Sequence, residues 1–260
     1  MRFAVIQLNS QDDIDANVDA IVALTRQAAV DHKSDFVALP EYSICLTGSR
    51  DASRERAQSL QDSAAIKAIA RLAKDHGIFV HLGGFIELSD DDQLYNTSVM
   101  FGRQGEVLST YRKINLFEIK GDALADSVVH NEASHLSAGD EVIAFDVDGV
   151  TFGHAICYDV RFPDHFSALR RNGAKVIMVP AAFTQTTGRR DWERLLKERA
   201  RETGAYIVAA NQCGMFDKGR FKSWGHSMIV DPTGQVVVAA EEAPGILTAT
   251  LDIGLPTSAL

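Results

Sequence analysis

Three side chains in this 260-residue sequence stand directly behind short runs that read as strands, and together they could form one reactive centre. Glu41 follows Phe36-Val37-Ala38-Leu39-Pro40, Lys113 follows Ser109-Thr110-Tyr111-Arg112, and Cys157 follows Gly153-His154-Ala155-Ile156. A thiolate is a strong nucleophile, a carboxylate can take and return a proton, and an ammonium can face a developing negative charge. Ligands of open α/β sheets bind at the carboxyl ends of strands, so residues just past strand ends can share one rim. Taken singly, each has a plain structural reading. A cysteine behind a strand is more often a small buried hydrophobe, and a charge at a strand end is usually solvated. Cys45 and Cys213 illustrate how little a lone cysteine says. A carboxylate, an ammonium and a thiol brought to one rim would make a plausible catalytic set.

The elements that must position these residues are legible from periodicity. Apolar strands are expected at 3–8, 36–39, 78–86, 94–101, 106–112, 141–147, 150–156, 175–179, 205–210, 226–230, 235–239 and 246–251. Helical spacing predicts amphipathic helices over 15–32, from Leu60 to Gly77, around Phe166 and Leu169, and from Trp192 to Gly204. Asp148-Gly149 marks a hairpin, and Gly83-Gly84 a place of close backbone packing rather than a phosphate loop. Residues 113–139 form a long aperiodic stretch, a length that usually has a functional reason. Alternation of helices with strands buried on both faces predicts a layered α/β fold of mixed sheets with helices outside. No linker or repeat divides the chain, so residues 1–260 read as a single domain.

Composition narrows the partners. The chain is 46% hydrophobic and 23% charged, as globular proteins are. Its net charge of −9, from 26 basic and 35 acidic residues, argues against nucleic acid or an anionic membrane surface. No apolar run approaches the ~20 residues that span a bilayer, and the N-terminus shows no signal-peptide pattern. The three cysteines are widely spaced, which fits neither a disulfide framework nor a metal cluster and reads as a cytoplasmic protein with reduced thiols. The eight histidines are scattered without metal-ligand spacing, so neither metal nor cofactor is expected.

The three segments, in this order, resemble the nitrilase superfamily of carbon–nitrogen hydrolases. The resemblance rests on Leu39-Pro40-Glu41-Tyr42, on Tyr111-Arg112-Lys113-Ile114-Asn115-Leu116-Phe117, and on Cys157-Tyr158-Asp159-Val160-Arg161-Phe162-Pro163. It continues through Pro180-Ala181-Ala182-Phe183, Ala209-Ala210-Asn211-Gln212-Cys213-Gly214 and Gly225-His226-Ser227-Met228-Ile229-Val230-Asp231-Pro232, and so covers nearly the whole chain. The resemblance implies an α-β-β-α sandwich, a homodimer, and a Glu41–Lys113–Cys157 triad working through a thioester on Cys157. It also implies a supporting Glu132 that hydrogen-bonds Lys113, with Glu118 left at the loop surface. Tyr158, directly after the nucleophile, would lend its backbone N–H to an oxyanion hole. Candidate substrate contacts are Tyr42, Phe117, Tyr158, Arg161, Phe183 and Thr184. Asp159 and Arg161 are expected to pair with each other and shape the turn after Cys157.

The chain is most similar to the branch that holds the deaminated-glutathione amidases and omega-amidases, which implies a small carboxylate-bearing amide as substrate. The first activity is the expected one, the second the alternative, with another aliphatic amidase or a nitrilase behind them. Thr233 stands where that branch usually has tryptophan, and the chain stops at Thr257-Ser258-Ala259-Leu260 without an Arg-rich tail. A non-catalytic interaction protein on this scaffold would have no physical need for Glu41, Lys113, Glu132 and Cys157 together. A thiol–disulfide role lacks a resolving cysteine nearby in sequence. Chelators are expected to leave activity unchanged in an amide-hydrolysis assay, and an activity abolished by EDTA and restored by a divalent ion would refute this reading.

Overall fold

Alternation along the first strand dictates the layering. In β1 (Arg2–Gln7), Phe3 and Val5 point to one side and Ala4 and Ile6 to the other, and all four are buried. Such a strand needs a cover on both faces. The protein, described here by a computed structural model over residues 1–118 and 131–254, provides it with four layers.

The first half runs through α1 (Ile14–Val30), β2 (Phe36–Ala38), α2 (Arg50–Glu55), α3 (Ala64–His76), β3 (Phe79–Leu88), β4 (Leu94–Phe101) and β5 (Val107–Arg112). The second half runs through β6 (Ala144–Val147), β7 (Val150–His154), α4 (Pro163–Arg171), β8 (Val176–Met178), α5 (Gln185–Thr203) and β9 (Tyr206–Ala209). It ends with β10 (Cys213–Phe216), β11 (Phe221–Trp224), β12 (Met228–Val230), β13 (Val236–Ala239) and β14 (Gly245–Thr250). Local signals set the helix ends. The Asp13, Ser63 and Thr184 side chains accept backbone N–H groups at the starts of α1, α3 and α5, while left-handed Gly77 and Gly204 close α3 and α5.

Two six-stranded sheets result, ordered β14-β1-β2-β3-β4-β5 and β13-β12-β9-β8-β7-β6. Each has a parallel triplet, β1-β2-β3 or β7-β8-β9, flanked by antiparallel strands. Helices α1 and α3 cover the first sheet through Ile21, Ala28, Ile69 and Ala73, and α4 and α5 cover the second through Phe166, Leu169, Trp192 and Leu196. Between the sheets, Phe3 stacks on Phe36 at 4.7 Å and Phe36 on Phe152 at 5.5 Å. Such aromatic pairs add ~0.5–1.5 kcal/mol each beyond their burial. This is the α-β-β-α sandwich expected from the sequence.

The central strands of both triplets, β2 and β8, run out into prolines, Pro40 and Pro180, and Gly83 lies between the two. A Cβ on Gly83 would sit 2.2 Å from the Leu39 carbonyl oxygen and 2.5 Å from Pro180 Cβ. Only glycine lets the sheets close at this point, which is the close packing its sequence position suggested. The hairpin at Asp148-Gly149 also forms, both residues left-handed as a type I′ turn requires.

Several elements differ from the sequence reading. The strand expected at 141–147 begins at Ala144. Helix α2 was not foreseen, because Arg50–Glu55 carries no apolar periodicity. The β10–β11 ribbon was also missed, since its strands are only four residues each. In the long stretch 113–139, Glu132–Ser134 form one 3-10 turn, and Glu118 is exposed as expected. Residues 119–130 and the tail Thr257–Leu260 lie outside the described residues.

A polar seam crosses the apolar space between the sheets. His81 of β3 and His154 of β7 touch through their ring nitrogens at 3.3 Å, and His154 also meets Ser98 and Ser109. Burial holds His81 down to about 3 from its ordinary 6.5, and pushes His154 well below that value with the help of its histidine neighbours. Both rings are neutral in the folded protein, whereas the unfolded chain protonates them. Stability is therefore fully present above about pH 6.5 and is lost as the pH falls toward about 3. Urea unfolding at stepped pH should show its midpoint falling through this window. His81→Gln should flatten that slope by about one proton, and an unaltered slope in the variant would contradict the argument.

Candidate active site

The carboxyl ends of the strands deliver the reactive side chains from both sheets to one place. β2 leads through Leu39-Pro40 to Glu41, which forms a parallel bridge with Gly84, while the Tyr42 N–H donates to the Gly84 carbonyl. Tyr42 is left-handed at φ 58°, so the chain turns sharply just after Glu41. β5 leads directly to Lys113, whose N–H donates to the Asn96 carbonyl at 2.8 Å. β7 leads to Cys157, again left-handed at φ 48°, whose N–H donates to the Pro180 carbonyl at 2.8 Å. A non-glycine residue in this region is uncommon, and here it lifts the sulfur out of the line of the strand.

Asp159 ties two of these segments together. One carboxylate oxygen accepts from the Ile156 N–H at 2.8 Å and from the Tyr111 hydroxyl at 2.7 Å. The other accepts from the Asn115 backbone and side-chain amides at 3.1 and 2.8 Å. The expected Asp159–Arg161 pair therefore does not form. Arg161 turns the other way and pairs with Asp191 of α5 at 2.8 Å. Residues two apart in a 3-10 turn point in different directions, so adjacency in sequence misled here.

At the centre lies a buried charge cluster. Lys113 Nζ is 2.9 Å from Glu41 Oε1 and 2.7 Å from Glu132 Oε2, and all three side chains are at most 3% exposed. Glu132 also accepts from the Phe117 N–H at 2.8 Å and from the Tyr42 hydroxyl. Glu41 Oε2 accepts from the Ala182 N–H at 2.8 Å, and the Glu41 charge acts on the Cys157 thiol.

The electrostatics follow from burial and neighbours. Burial raises Glu41, and the Glu132 charge adds to this against the pull of Lys113. Glu132 also feels burial, but the Lys113 ammonium and its hydrogen bonds bring it below the usual range. Lys113 is pushed down by burial yet ends well above its ordinary value, because two carboxylates face it, and it stays charged. Burial, then the Glu41 charge, push the Cys157 thiol well up against the pull of Lys113. The thiol is thus held protonated beside Glu41.

The expected triad, Glu132 and all six candidate substrate contacts line one pocket. Cys157 keeps a partly exposed surface there. Phe117 and Tyr158 meet edge to face at 4.9 Å, and Phe183 packs on Trp192 at 4.7 Å. Thr184 caps α5 by accepting the Thr187 N–H at 3.2 Å, which makes it a helix start as well as a wall of the pocket. Among the described residues no cluster of His, Cys, Asp and Glu could hold a metal ion, and no helix is long and apolar enough to cross a membrane.

A family model of carbon–nitrogen hydrolases matches residues 2–259. The chain belongs to the carbon–nitrogen hydrolase family. Among relatives of this hydrolase, the deaminated glutathione amidase of Dictyostelium discoideum is 37% identical over 217 residues, covering 81% of this chain and 74% of its own. The human omega-amidase NIT2 is 32% identical over 254 residues, covering 97% and 88%. The crystal structure of Saccharomyces cerevisiae Nit3, a member of branch 10 of the nitrilase superfamily, superposes with a TM-score of 0.86 at 28% identity, covering 98% of this chain and 91% of Nit3. The nitrilase fold and the branch suggested by the sequence motifs are thereby established.

One residue of the hydrolase site escaped the sequence reading. Asn96 of β4 reaches both glutamates, and its only signal was a polar run, Asn96-Thr97-Ser98, inside a buried strand, where asparagine is disfavoured. The charge map makes a prediction for the thiol. In Glu41→Gln a negative charge beside Cys157 disappears while Lys113 remains, so the pH midpoint of iodoacetamide alkylation at Cys157 is expected to move down. Cys45, pushed up to about 12 by burial and Asp12, and buried Cys213, pushed up to about 11, should stay unlabelled at neutral pH in peptide mass mapping. A midpoint that rises in Glu41→Gln would overturn the assignment.

Proposed function

We propose that this hydrolase cleaves the C–N bond of a small carboxylate-bearing amide through a thioester on Cys157, with deaminated-glutathione amidase as the nearest activity. The observation that carries the reading is the buried Glu41–Lys113–Glu132 cluster beside a partly exposed cysteine. Glu41 takes the thiol proton as the sulfur attacks the carbonyl carbon. The oxygen becomes negative and is met by the Lys113 ammonium and the Tyr158 N–H. Glu41 then hands its proton to the nitrogen, the C–N bond breaks, and ammonia or an amine leaves. Water attacks the thioester, Glu41 takes a proton from it, and that proton returns to the sulfur as the carboxylic acid departs. Glu132 holds Lys113 charged and in place.

Arg161 supports a carboxylate-bearing substrate. Its guanidinium lines the pocket and is held by Asp191, and a bidentate donor suits a carboxylate. Tyr42, Phe117, Tyr158, Phe183 and Thr184 form the remaining walls of the proposed substrate site. The human omega-amidase NIT2 matches a larger share of the chain than the Dictyostelium enzyme does, which keeps 2-oxo acid amides as the second reading. In this reading residues 1–260 act as one domain, in the cytoplasm and as a homodimer.

A panel of small amides read by ammonia or amine release tests the assignment. Cys157→Ala should release nothing, and acid-quenched wild type should carry the acyl mass on the Cys157 peptide alone. Glu132→Gln should fold, lose about 10²-fold or more in kcat and still be alkylated at Cys157, because Cys157, Glu41 and Lys113 all remain. An active Cys157→Ala protein would remove the mechanism.

A further inference from the structure

Two like-charged carboxylates share one ammonium in a buried site, so something neutral must hold them. Asn96 is fully buried in the middle of β4 and lies outside the wall of the pocket. Its side-chain nitrogen is 2.8 Å from Glu41 Oε1, 2.9 Å from Glu132 Oε1 and 3.1 Å from the Tyr42 hydroxyl. Tyr42 gives its own proton to Glu132. The Asn96 carbonyl accepts the Lys113 N–H. One residue thus touches both carboxylates and the backbone of the lysine.

The orientation of the amide is fixed by chemistry. Turned over, it would aim its oxygen at two carboxylate oxygens. As it stands, Oδ1 has no partner and faces Gly84, where a Cβ would come within 2.7 Å. A buried oxygen left without a donor costs free energy, typically ~1–3 kcal/mol. The site tolerates that cost to keep both N–H groups on the glutamates.

We infer that Asn96 is a positioning residue that holds Glu41 in its ionised, proton-accepting form and sets the spacing between Glu41 and Glu132. This rests on the proposed role of Glu41 as the base. Without the amide, Glu41 loses a donor to its charged form and its proton affinity rises. A hydrogen bond to a charged group is worth roughly one pH unit or more on its acceptor. Because Asn96 does not reach the pocket, KM is not expected to follow.

The test compares wild type with Asn96→Leu, close in volume, and Asn96→Ala. Carboxyl-carbon NMR titration of Glu41 in 13C-glutamate-labelled protein should show its midpoint about one pH unit higher in the variants. The acid limb of kcat/KM for succinamic acid, a small amide with one carboxylate, should rise with it. kcat should fall about ten- to a hundredfold with KM within about twofold. A Glu41 midpoint that stays put, or a loss confined to KM, would overturn the inference.

Should neither variant fold, the unaltered protein still decides. In 15N-asparagine-labelled wild type, one side-chain amide should be shifted downfield, protected from exchange, and titrate together with Glu41. Its absence counts against the inference as firmly. An active Cys157→Ala protein defeats the underlying mechanism instead, so the two failures are distinguishable.

Discussion

One ammonium shared by two carboxylates, out of contact with water, is the constraint around which the rest of this protein is arranged. Removing an ion from water costs several kcal/mol even after relaxation, and a buried pair returns that only if its remaining hydrogen-bonding capacity is filled. Here Lys113 faces Glu41 and Glu132, and the carboxylate oxygens are completed by Asn96, Tyr42 and the N–H groups of Ala182 and Phe117. The donors come from four separate segments. Each must arrive with ångström accuracy, because an unmet charge in this place is far costlier than an unmet contact in the apolar layers.

The sandwich supplies that accuracy through repetition. Both sheets carry a parallel triplet whose middle strand ends in proline, and the ends face each other across Gly83. Left-handed turns at Tyr42 and Cys157 then aim the neighbouring side chains into the space between the strand ends. The strain is small and local, about 1–3 kcal/mol at each such residue, and is overruled by the packing on both sides. Asp159 adds a second tie, joining the turn that carries Cys157 to the loop that follows Lys113.

Much of this was legible in the sequence for physical reasons. Strands buried on both faces read as apolar runs, and amphipathic helices show their spacing, so the layers follow from hydrophobic pattern alone. The reactive residues stood out because they directly follow strand ends, and motif order completed the set. What stayed hidden was whatever depends on tertiary placement. Arg161 looked like a partner for Asp159 and instead spans to Asp191. Asn96 carries no local mark of its role, since its acceptors lie 36 to 55 residues away. The β10–β11 ribbon and α2 were missed because each is too short for a period to show.

The division of the reactive groups between the sheets has a consequence for how the protein fails. Glu41, Lys113 and Asn96 come from one sheet, while Cys157 and Ala182 come from the other. The seam between them is held by stacked phenylalanines and two neutral histidines rather than by any shared strand. A slip of about 1 Å along that seam leaves every helix and strand intact, yet separates Glu41 from Cys157 by enough to cost about a hundredfold in the proposed reaction. Competence is therefore more fragile than secondary structure.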